Sequence, residues 1–144
     1  MDNLTVAQRH RCMRSIRSKN TDIEVKLQGA LVERRLQFQI HPKDLIGRPD
    51  VIFGRARIAV FVDGDFWHGF RFTKTRYKMS EWWQQKIMVN IRRDRRVRGA
   101  LRRRGWLVVR VWGHELKQSA NSVADKLARL VAARCRPHRC PQIA

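Results

Sequence analysis

Acidic side chains crowd one segment of an otherwise basic chain. Only 12 Asp and Glu residues face 32 Lys and Arg, yet Asp50, Asp63 and Asp65 fall close together. Asp50 opens a predicted strand directly after Pro49, and Asp63 ends the next one; an antiparallel pairing would bring both carboxylates to one sheet edge. Carboxylates so placed suit Mg²⁺, which polarises a phosphodiester and activates water. A turn aspartate and a strand-end cap are the structural alternative.

A histidine and a helical aspartate could supply proton transfer. His68 follows Asp63 in the same loop, and an imidazole exchanges protons near neutral pH; a solvent-exposed loop histidine is the alternative. Asp94 interrupts the apolar stripe of a predicted helix, with Asn90 one turn earlier on the same side. A buried carboxylate needs a partner, which would be a neighbouring arginine or His68.

Other polar and aromatic positions allow two interpretations each. Glu24 follows Thr21 at capping-box spacing, which explains it structurally. Adjacent aromatics at 66–67 and 82–83 belong to a core or act as a wedge between stacked bases. The arginines of 92–98 and 102–104 indicate phosphate contacts or solvated helix surface. Cys135, His138 and Cys140 could bind zinc, but three ligands without a fourth do not complete a structural zinc site.

The overall charge favours a polyanionic partner and excludes several protein classes. A net charge of +20 and a pI near 11.6 would attract DNA or RNA in a salt-sensitive way, without separating a binder from an enzyme. The longest apolar run, 58–62, is too short to span a bilayer. We expect no secretory leader, and three cysteines do not make a disulfide framework. We therefore expect a cytoplasmic protein.

Periodicity predicts the elements that must position these residues. We expect helices over 22–36, 81–104 and from Asn121 or Ser122 to about 133, with strands over 38–41, 50–53, 57–62 and 106–112. This order, α-β-β-β-α-β-α, predicts one α/β domain whose mixed sheet is covered by helices on both faces.

Five blocks in order carry a resemblance to a known family. The blocks are RSKNTDIE (17–24), GRPDVIF (47–53), VFVDGDFWHG (60–69), WWQQKIMVNIRRDRR (82–96) and GWLVVRVW (105–112). Together they resemble the very-short-patch repair (Vsr) endonucleases over about residues 9–117. The resemblance implies a three-layer α/β/α, restriction-endonuclease-like fold of the PD-(D/E)xK superfamily. It also implies a monomer that uses Mg²⁺ to nick duplex DNA 5′ of the mispaired T of a T:G mismatch, and a nucleoid-associated location.

Composition predicts a basic arm and a loose tail around the domain, and the resemblance identifies that domain as an endonuclease and implies residue roles. Residues 1–20 would be a basic arm, 21–134 the endonuclease domain and 135–144 a loose tail. Asp50 and the Val62 carbonyl would hold Mg²⁺, and His68, supported by Asp94, would be the general acid/base. The remaining implied site residues are Glu24 in the water or metal network, Asp63 where a histidine or aspartate fits the pattern, Phe66, Trp67 and Trp83 as an intercalating wedge, and Lys19, Asn20, Arg48, Asn90 and Arg93 as DNA contacts.

One departure from the family pattern concerns zinc. Family members often bind a structural zinc through Cys and His of the aromatic loop and of the segment after the last strand. Here the corresponding residues are Asp65, Phe70, Phe72 and His114. We therefore predict no structural zinc, with packing by the two phenylalanines in its place or a divergent branch. Mismatch preference stays open, and the alternatives are a nickase with another target and a non-catalytic DNA-binding protein.

Overall fold

The computed structural model describes residues 5–8, 21–65 and 68–135. Predictions for Lys19, Asn20, Phe66 and Trp67, and for most of the arm and the tail, lie outside these residues. The elements are helices α1 (Asp22–Glu33), α2 (Phe72–Thr75), α3 (Glu81–Arg103) and α4 (Gly113–Arg134), strands β1 (Gln39–Ile40), β2 (Val51–Phe53), β3 (Ile58–Asp63) and β4 (Leu107–Trp112), and a 3₁₀ turn over Arg76–Lys78.

The four strands form one mixed sheet in the order β1-β2-β3-β4. The pairs β1–β2 and β2–β3 are antiparallel, and Val51 lies opposite Val60. β4 runs parallel to β3, with Asp63 opposite Trp112. A parallel pair requires a long crossover connection, and α3 supplies it.

Alternating strand residues build a core on each face of the sheet. Leu27 of α1 and Leu127 of α4 pack with Val60 on one face. On the other face, Leu101 of α3 packs with Ala59. This arrangement confirms the predicted three-layer α/β/α architecture, in which apolar helix stripes cover both sides of a buried sheet.

The last helix begins earlier than the sequence predicts. α4 follows β4 directly at Gly113 and has a kink at Ser119 (φ −162°, ψ 99°), where the Ser119 hydroxyl accepts a hydrogen bond from the Ser122 amide at 3.1 Å. The predicted start at Asn121 or Ser122 therefore identified the segment after the kink. In the described part of the chain, no helix has the length and apolarity needed to cross a membrane.

Candidate active site in the cleft beside β2 and β3

A cleft of about 730 Å³ gathers most of the predicted site residues. Its walls come from the start of α1, the ends of β2 and β3, the loop after β3 and the middle of α3. The titratable residues that line it are Glu24, His41, Arg48, Asp50, Asp63, His68, Arg93, Asp94 and Arg98. Asp50 and His68 therefore share one cavity, as the sequence predicted.

The β2–β3 pairing fixes the Asp50 carboxylate. The Asp50 amide donates to the Val60 carbonyl at 3.0 Å, and the Val62 amide donates to Asp50 Oδ2 at 2.7 Å. Burial raises the pKa of Asp50 to about 7; the Val62 hydrogen bond opposes the rise, whereas the charges of Glu24 and Asp63 add to it. The ionised carboxylate is thus disfavoured in the protein alone and would be favoured by a nearby cation.

Glu24 and His41 complete this side of the cleft. The Glu24 side chain is buried, and its Oε1 accepts a hydrogen bond from the Thr21 hydroxyl at 3.1 Å. Thr21 is the N-cap and Glu24 the third helical residue, as the capping-box interpretation requires, but the Thr21 side chain makes no cap hydrogen bond to the helix backbone. His41 lies between two acids, with Nε2 3.4 Å from Glu24 Oε2 and Nδ1 4.0 Å from Asp50 Oδ1.

His68 and Asp94 form the predicted acid–histidine pair. His68 Nδ1 lies 2.6 Å from Asp94 Oδ2. Burial alone would raise the pKa of Asp94, but the hydrogen bond and charge of His68, with Arg93 and Arg110, lower it below its ordinary value. An ionised Asp94 assigns the proton to Nδ1, which leaves Nε2 as the ring atom that exchanges protons.

Asp63 is engaged by an arginine from the neighbouring strand. Arg110 Nε donates to Asp63 Oδ2, and Arg110 Nη2 donates to the His68 carbonyl at 3.0 Å. Asp63 Oδ1 also lies 3.4 Å from His68 Nδ1. The Asp63 carboxylate therefore belongs to the His68 side of the cleft and already has a cationic partner.

Two metal-ligand groups result from this layout among the described residues. Glu24, His41 and Asp50 place ligand atoms within 4.8 Å of one another, as do Asp63, His68 and Asp94. The first group offers two carboxylates, and that of Asp50 accepts a hydrogen bond from the Val62 amide. Its oxygen-rich donor set fits Mg²⁺.

The positions that the resemblance associates with zinc have other contacts here. His114 Nδ1 lies 2.9 Å from Asp65 Oδ1. The Phe70 ring packs against Trp112 and His114, with centroids 5.0 and 4.4 Å apart, and Phe72 is buried. A hydrogen-bonded pair and aromatic packing thus join the loop to the start of α4; the absence of zinc stays a prediction.

The predicted DNA-contacting residues differ in accessibility. Trp83 is 8% exposed, whereas Trp82 is 42% exposed. The two rings pack edge-on, with their centroids 4.6 Å apart. Arg48 and Arg93 line the cleft, and Asn90 on α3 is partly exposed. The free protein therefore presents arginines to a ligand in the cleft, while Trp83 would have to become more exposed to intercalate.

Sequence reasoning missed His41 and Arg110. His41 follows β1, and its amide donates to the Asp50 carbonyl at 3.2 Å; pairing the 38–41 and 50–53 strands would have found it. Arg110 interrupts the apolar strand LVVRVW. A charge at a half-buried strand position is the signal that would have drawn attention to it.

Comparison with known proteins places this geometry in a family. The family model described as DNA mismatch endonuclease Vsr matches residues 1–74. A type II nicking enzyme, V.NmeDIP of Neisseria meningitidis serogroup C, is 37% identical over 91% of this chain and 90% of its own length. The DNA mismatch endonuclease Vsr of Escherichia coli (strain K12) is 37% identical over 74% of this chain and 69% of its own length.

Further comparisons agree with both the fold and the family. Type II nicking enzyme V.XorIIP of Xanthomonas oryzae is 38% identical over 80% of this chain and 86% of its own length. The catalytic domain of homing endonuclease I-Bth0305I, 16% identical, superposes with a TM-score of 0.58 over 81% of this chain and 100% of that domain, which shows the restriction-endonuclease-like fold. The family model and the full-length similarity to nicking enzymes together establish that this chain belongs to the DNA mismatch endonuclease Vsr family and is a DNA endonuclease.

Proposed function

We propose that this protein nicks one strand of mismatched duplex DNA by Mg²⁺-assisted hydrolysis of a phosphodiester, with T:G as the preferred mismatch. The observation that carries the proposal is the shared cleft, in which Asp50 lies on one side and the His68–Asp94 pair on the other. The family model and the Escherichia coli relative, both named as DNA mismatch endonucleases, support the choice of substrate.

Asp50 and the Val62 carbonyl would hold Mg²⁺, with Glu24 in the surrounding water network. The ion, when bound, supplies Lewis-acid polarisation of the phosphate and lowers the pKa of bound water. The Val62 amide orients the Asp50 carboxylate through a 2.7 Å hydrogen bond. Ordering this ligand before DNA arrives reduces the reorganisation that the reaction requires.

His68 would move the proton. With Nδ1 held by Asp94 at 2.6 Å, Nε2 can accept a proton from the attacking water or, once protonated, donate one to the leaving oxygen. Asp94 fixes the ring and stabilises its protonated form. Asp63 would assist from beside the same ring.

Arginines at the cleft would bind the phosphate backbone. Arg48 and Arg93 lie in the wall, and phosphate contacts of this kind position a duplex without reading its sequence. Phe66, Trp67 and Trp83 would be the wedge that unstacks the mismatched step, assisted by contacts from Lys19, Asn20 and Asn90.

A second candidate is nicking at a target other than a mismatch. Two of the relatives described above are named type II nicking enzymes, and the residues of the aromatic loop depart from the family's zinc-binding pattern. The chemistry would be the same, and only the recognised DNA would differ.

One assay separates these possibilities. End-labelled duplexes that differ only in a T:G or T:A pair, each in several sequence contexts, are incubated with and without Mg²⁺ and resolved by strand. We expect one labelled strand of the T:G duplex to be cut in the presence of Mg²⁺. Equal cutting of both duplexes would support the second candidate.

The Asp50→Asn variant tests the chemistry independently of binding. It should retain DNA affinity and lose nicking, because the amide removes the anionic ligand but preserves the shape. Asp125→Asn is the matched control, since Asp125 pairs with Arg34 away from the cleft. Cutting by Asp50→Asn at the wild-type rate would refute the proposal.

A further inference from the structure

Arg110 is placed where a charge is least expected. It occupies the middle of β4 opposite Phe61 of β3, in a strand whose other residues are apolar, and its side chain is 22% exposed. Removing a guanidinium from most of its water is unfavourable unless buried partners compensate it. The reason for Arg110 must therefore lie in its contacts.

Those contacts converge on the group of Asp63, His68 and Asp94. Beyond the hydrogen bonds to Asp63 and to the His68 carbonyl, Nη2 lies 3.7 Å from Asp94 Oδ2. The guanidinium also lies 4.0 Å from the Trp112 ring centroid, a cation–π contact that holds it in place. One side chain thus touches all three members of the group.

The two metal-ligand groups of the cleft differ accordingly. On the Asp50 side, the Asp50 carboxylate accepts a hydrogen bond from the neutral Val62 amide at 2.7 Å. On the Asp94 side, the Arg110 guanidinium lies within ion-pair distance of both the Asp63 and the Asp94 carboxylates. The second group therefore already contains a fixed positive charge that contacts two of its members.

We propose that Arg110 is a positioning residue that occupies the Asp63–His68–Asp94 group in place of a metal ion, confines the cation to the Asp50 side, and keeps His68 available for proton transfer. A cation at this group would compete for the same carboxylates and for the imidazole. The inference rests on the proposed function, because it presumes that Asp50 holds the ion and that His68 moves the proton.

The test counts Mn²⁺ ions bound to the DNA-free protein, using the electron paramagnetic resonance signal of free Mn²⁺. Wild type should bind one ion per chain, and Asp50→Asn should abolish this binding while Asp63→Asn does not. Arg110→Met should gain a second ion, since it releases both carboxylates. The double variant Arg110→Met/Asp63→Asn should return to one ion.

Two further variants separate charge from packing. Arg110→Lys should keep one ion because its ammonium preserves the positive charge. Arg34→Met removes an arginine of similar burial that pairs with Asp125 outside the cleft, and it should also keep one ion even where it lowers thermal stability. A merely structural role for Arg110 would change stability and not the ion count.

Several results would overturn the inference. A wild-type ion that is lost in Asp63→Asn would place metal in the group that Arg110 is said to occupy, and this result does not depend on the folding of Arg110→Met. A folded Arg110→Met variant that still binds only one ion would also overturn the inference, because removal of the guanidinium would then have opened no second site. Wild-type Mn²⁺ binding that is insensitive to Asp50→Asn would instead overturn the proposed metal site itself, and the inference with it.

Discussion

Asp50 and Asp94 have the same side chain in opposite electrostatic settings. Burial dominates at Asp50 and raises its pKa to about 7. At Asp94 the effect of burial is outweighed by the hydrogen bond and charge of His68 and by two arginines. Pairs of carboxyl groups whose pKa values are driven apart are typical of sites that divide two tasks between them; the two tasks proposed here are metal binding and support of the imidazole.

The raised pKa of Asp50 predicts how stability changes with pH in the metal-free protein. Between about pH 4 and 7 the folded state holds a proton that the unfolded state releases, so this group's contribution to the unfolding free energy falls as pH rises. The slope is at most roughly 1.4 kcal/mol per pH unit. Thermal denaturation of wild type and Asp50→Asn at pH 5 and 8 measures this contribution. It is the change with pH in the difference between the unfolding free energies of the two proteins.

Mg²⁺ supplies the control for this experiment. Added at pH 8, it should stabilise wild type and not Asp50→Asn, because the cation takes the place of the proton. The opposite result would contradict the raised pKa of Asp50. In that result, metal-free wild type would become more stable relative to Asp50→Asn as pH rises.

Asp94→Asn tests the orientation of His68. The amide cannot stabilise a protonated imidazole and can impose the other tautomer, so we expect nicking to slow by about 10²–10⁴-fold, the range of general acid–base catalysis, while DNA affinity changes little. Single-turnover nicking rates at saturating protein measure the effect. Asp125→Asn should nick like wild type, and an equal loss in both variants would argue against the His68–Asp94 pair.

For single residues, the sequence predicts site residues that interrupt a local pattern. It does not predict those that only the tertiary structure brings to the cleft. Asp50 is conspicuous because it is one of few acids in a basic chain and opens a strand, and Asp94 because it interrupts an apolar stripe. Glu24 had a sufficient local explanation, and only its burial beside His41 shows that it faces the cleft. Arg110 reaches Asp63 through the parallel β3–β4 pairing, which no local spacing encodes.

Elements around the cleft are joined by glycines that permit close approach. Gly69 follows His68, has φ +79°, and would place a Cβ 2.4 Å from the Ile91 Cδ1 atom of α3. Gly47, which lies near Asp50, has φ +77°, and a Cβ at this position would likewise collide with the Val97 side chain. The loop that carries His68 can therefore lie directly on the helix that carries Asp94.

Gly69→Ala should separate the loop from the helix. A left-handed alanine costs roughly 1–2 kcal/mol, and its methyl group would displace the loop, so the 2.6 Å contact between His68 and Asp94 should weaken. We expect slower nicking with DNA affinity retained. Gly29→Ala on α1, where an added Cβ meets nothing within 4 Å, is the control and should match wild-type nicking; equal activity of both variants would refute this account.

The predicted element boundaries agree with the structure where local sequence signals define them. They are wrong where a helix begins without such a signal. α3 spans Glu81–Arg103, close to the predicted 81–104, because apolar residues recur at helical spacing on both sides of Asp94. α4 begins eight or more residues before its predicted start because β4 passes into the helix at Gly113 without a loop. There Glu115 Oε2 accepts a hydrogen bond from the Trp112 amide at 2.8 Å, a substitute for the usual cap that the sequence did not reveal.

For the molecule as a whole, the net charge of +20 surrounds a cleft that contains four acids. The basic surface would attract DNA, whereas the proposed function of the acids is to bind a divalent cation inside the cleft. These two functions respond differently to salt, because surface attraction is screened and displaces counterions, while a buried carboxylate is less affected.

Salt should therefore weaken DNA binding far more than bond breakage. For 6–10 phosphate contacts, affinity falls by roughly 10³–10⁵-fold between 50 and 200 mM salt. Fluorescence anisotropy measures the binding, and single-turnover nicking at saturating protein measures the chemical step. A nicking rate that falls as steeply as affinity, at saturation, would show that the surface charge acts in the chemistry itself.

The parallel β3–β4 pairing also bears on the order in which the two sides of the cleft can form during synthesis. The hairpin of β2 and β3 brings Asp50 beside Val62 as soon as this short stretch of chain is available. Arg110 meets its partners only after the intervening residues 64–106 have folded back to align β4. A nascent chain that has not yet emerged through β4 would therefore have Asp50 aligned beside Val62 but would lack the arginine that contacts Asp63 and Asp94, so the two sides of the cleft would be completed at different stages of synthesis.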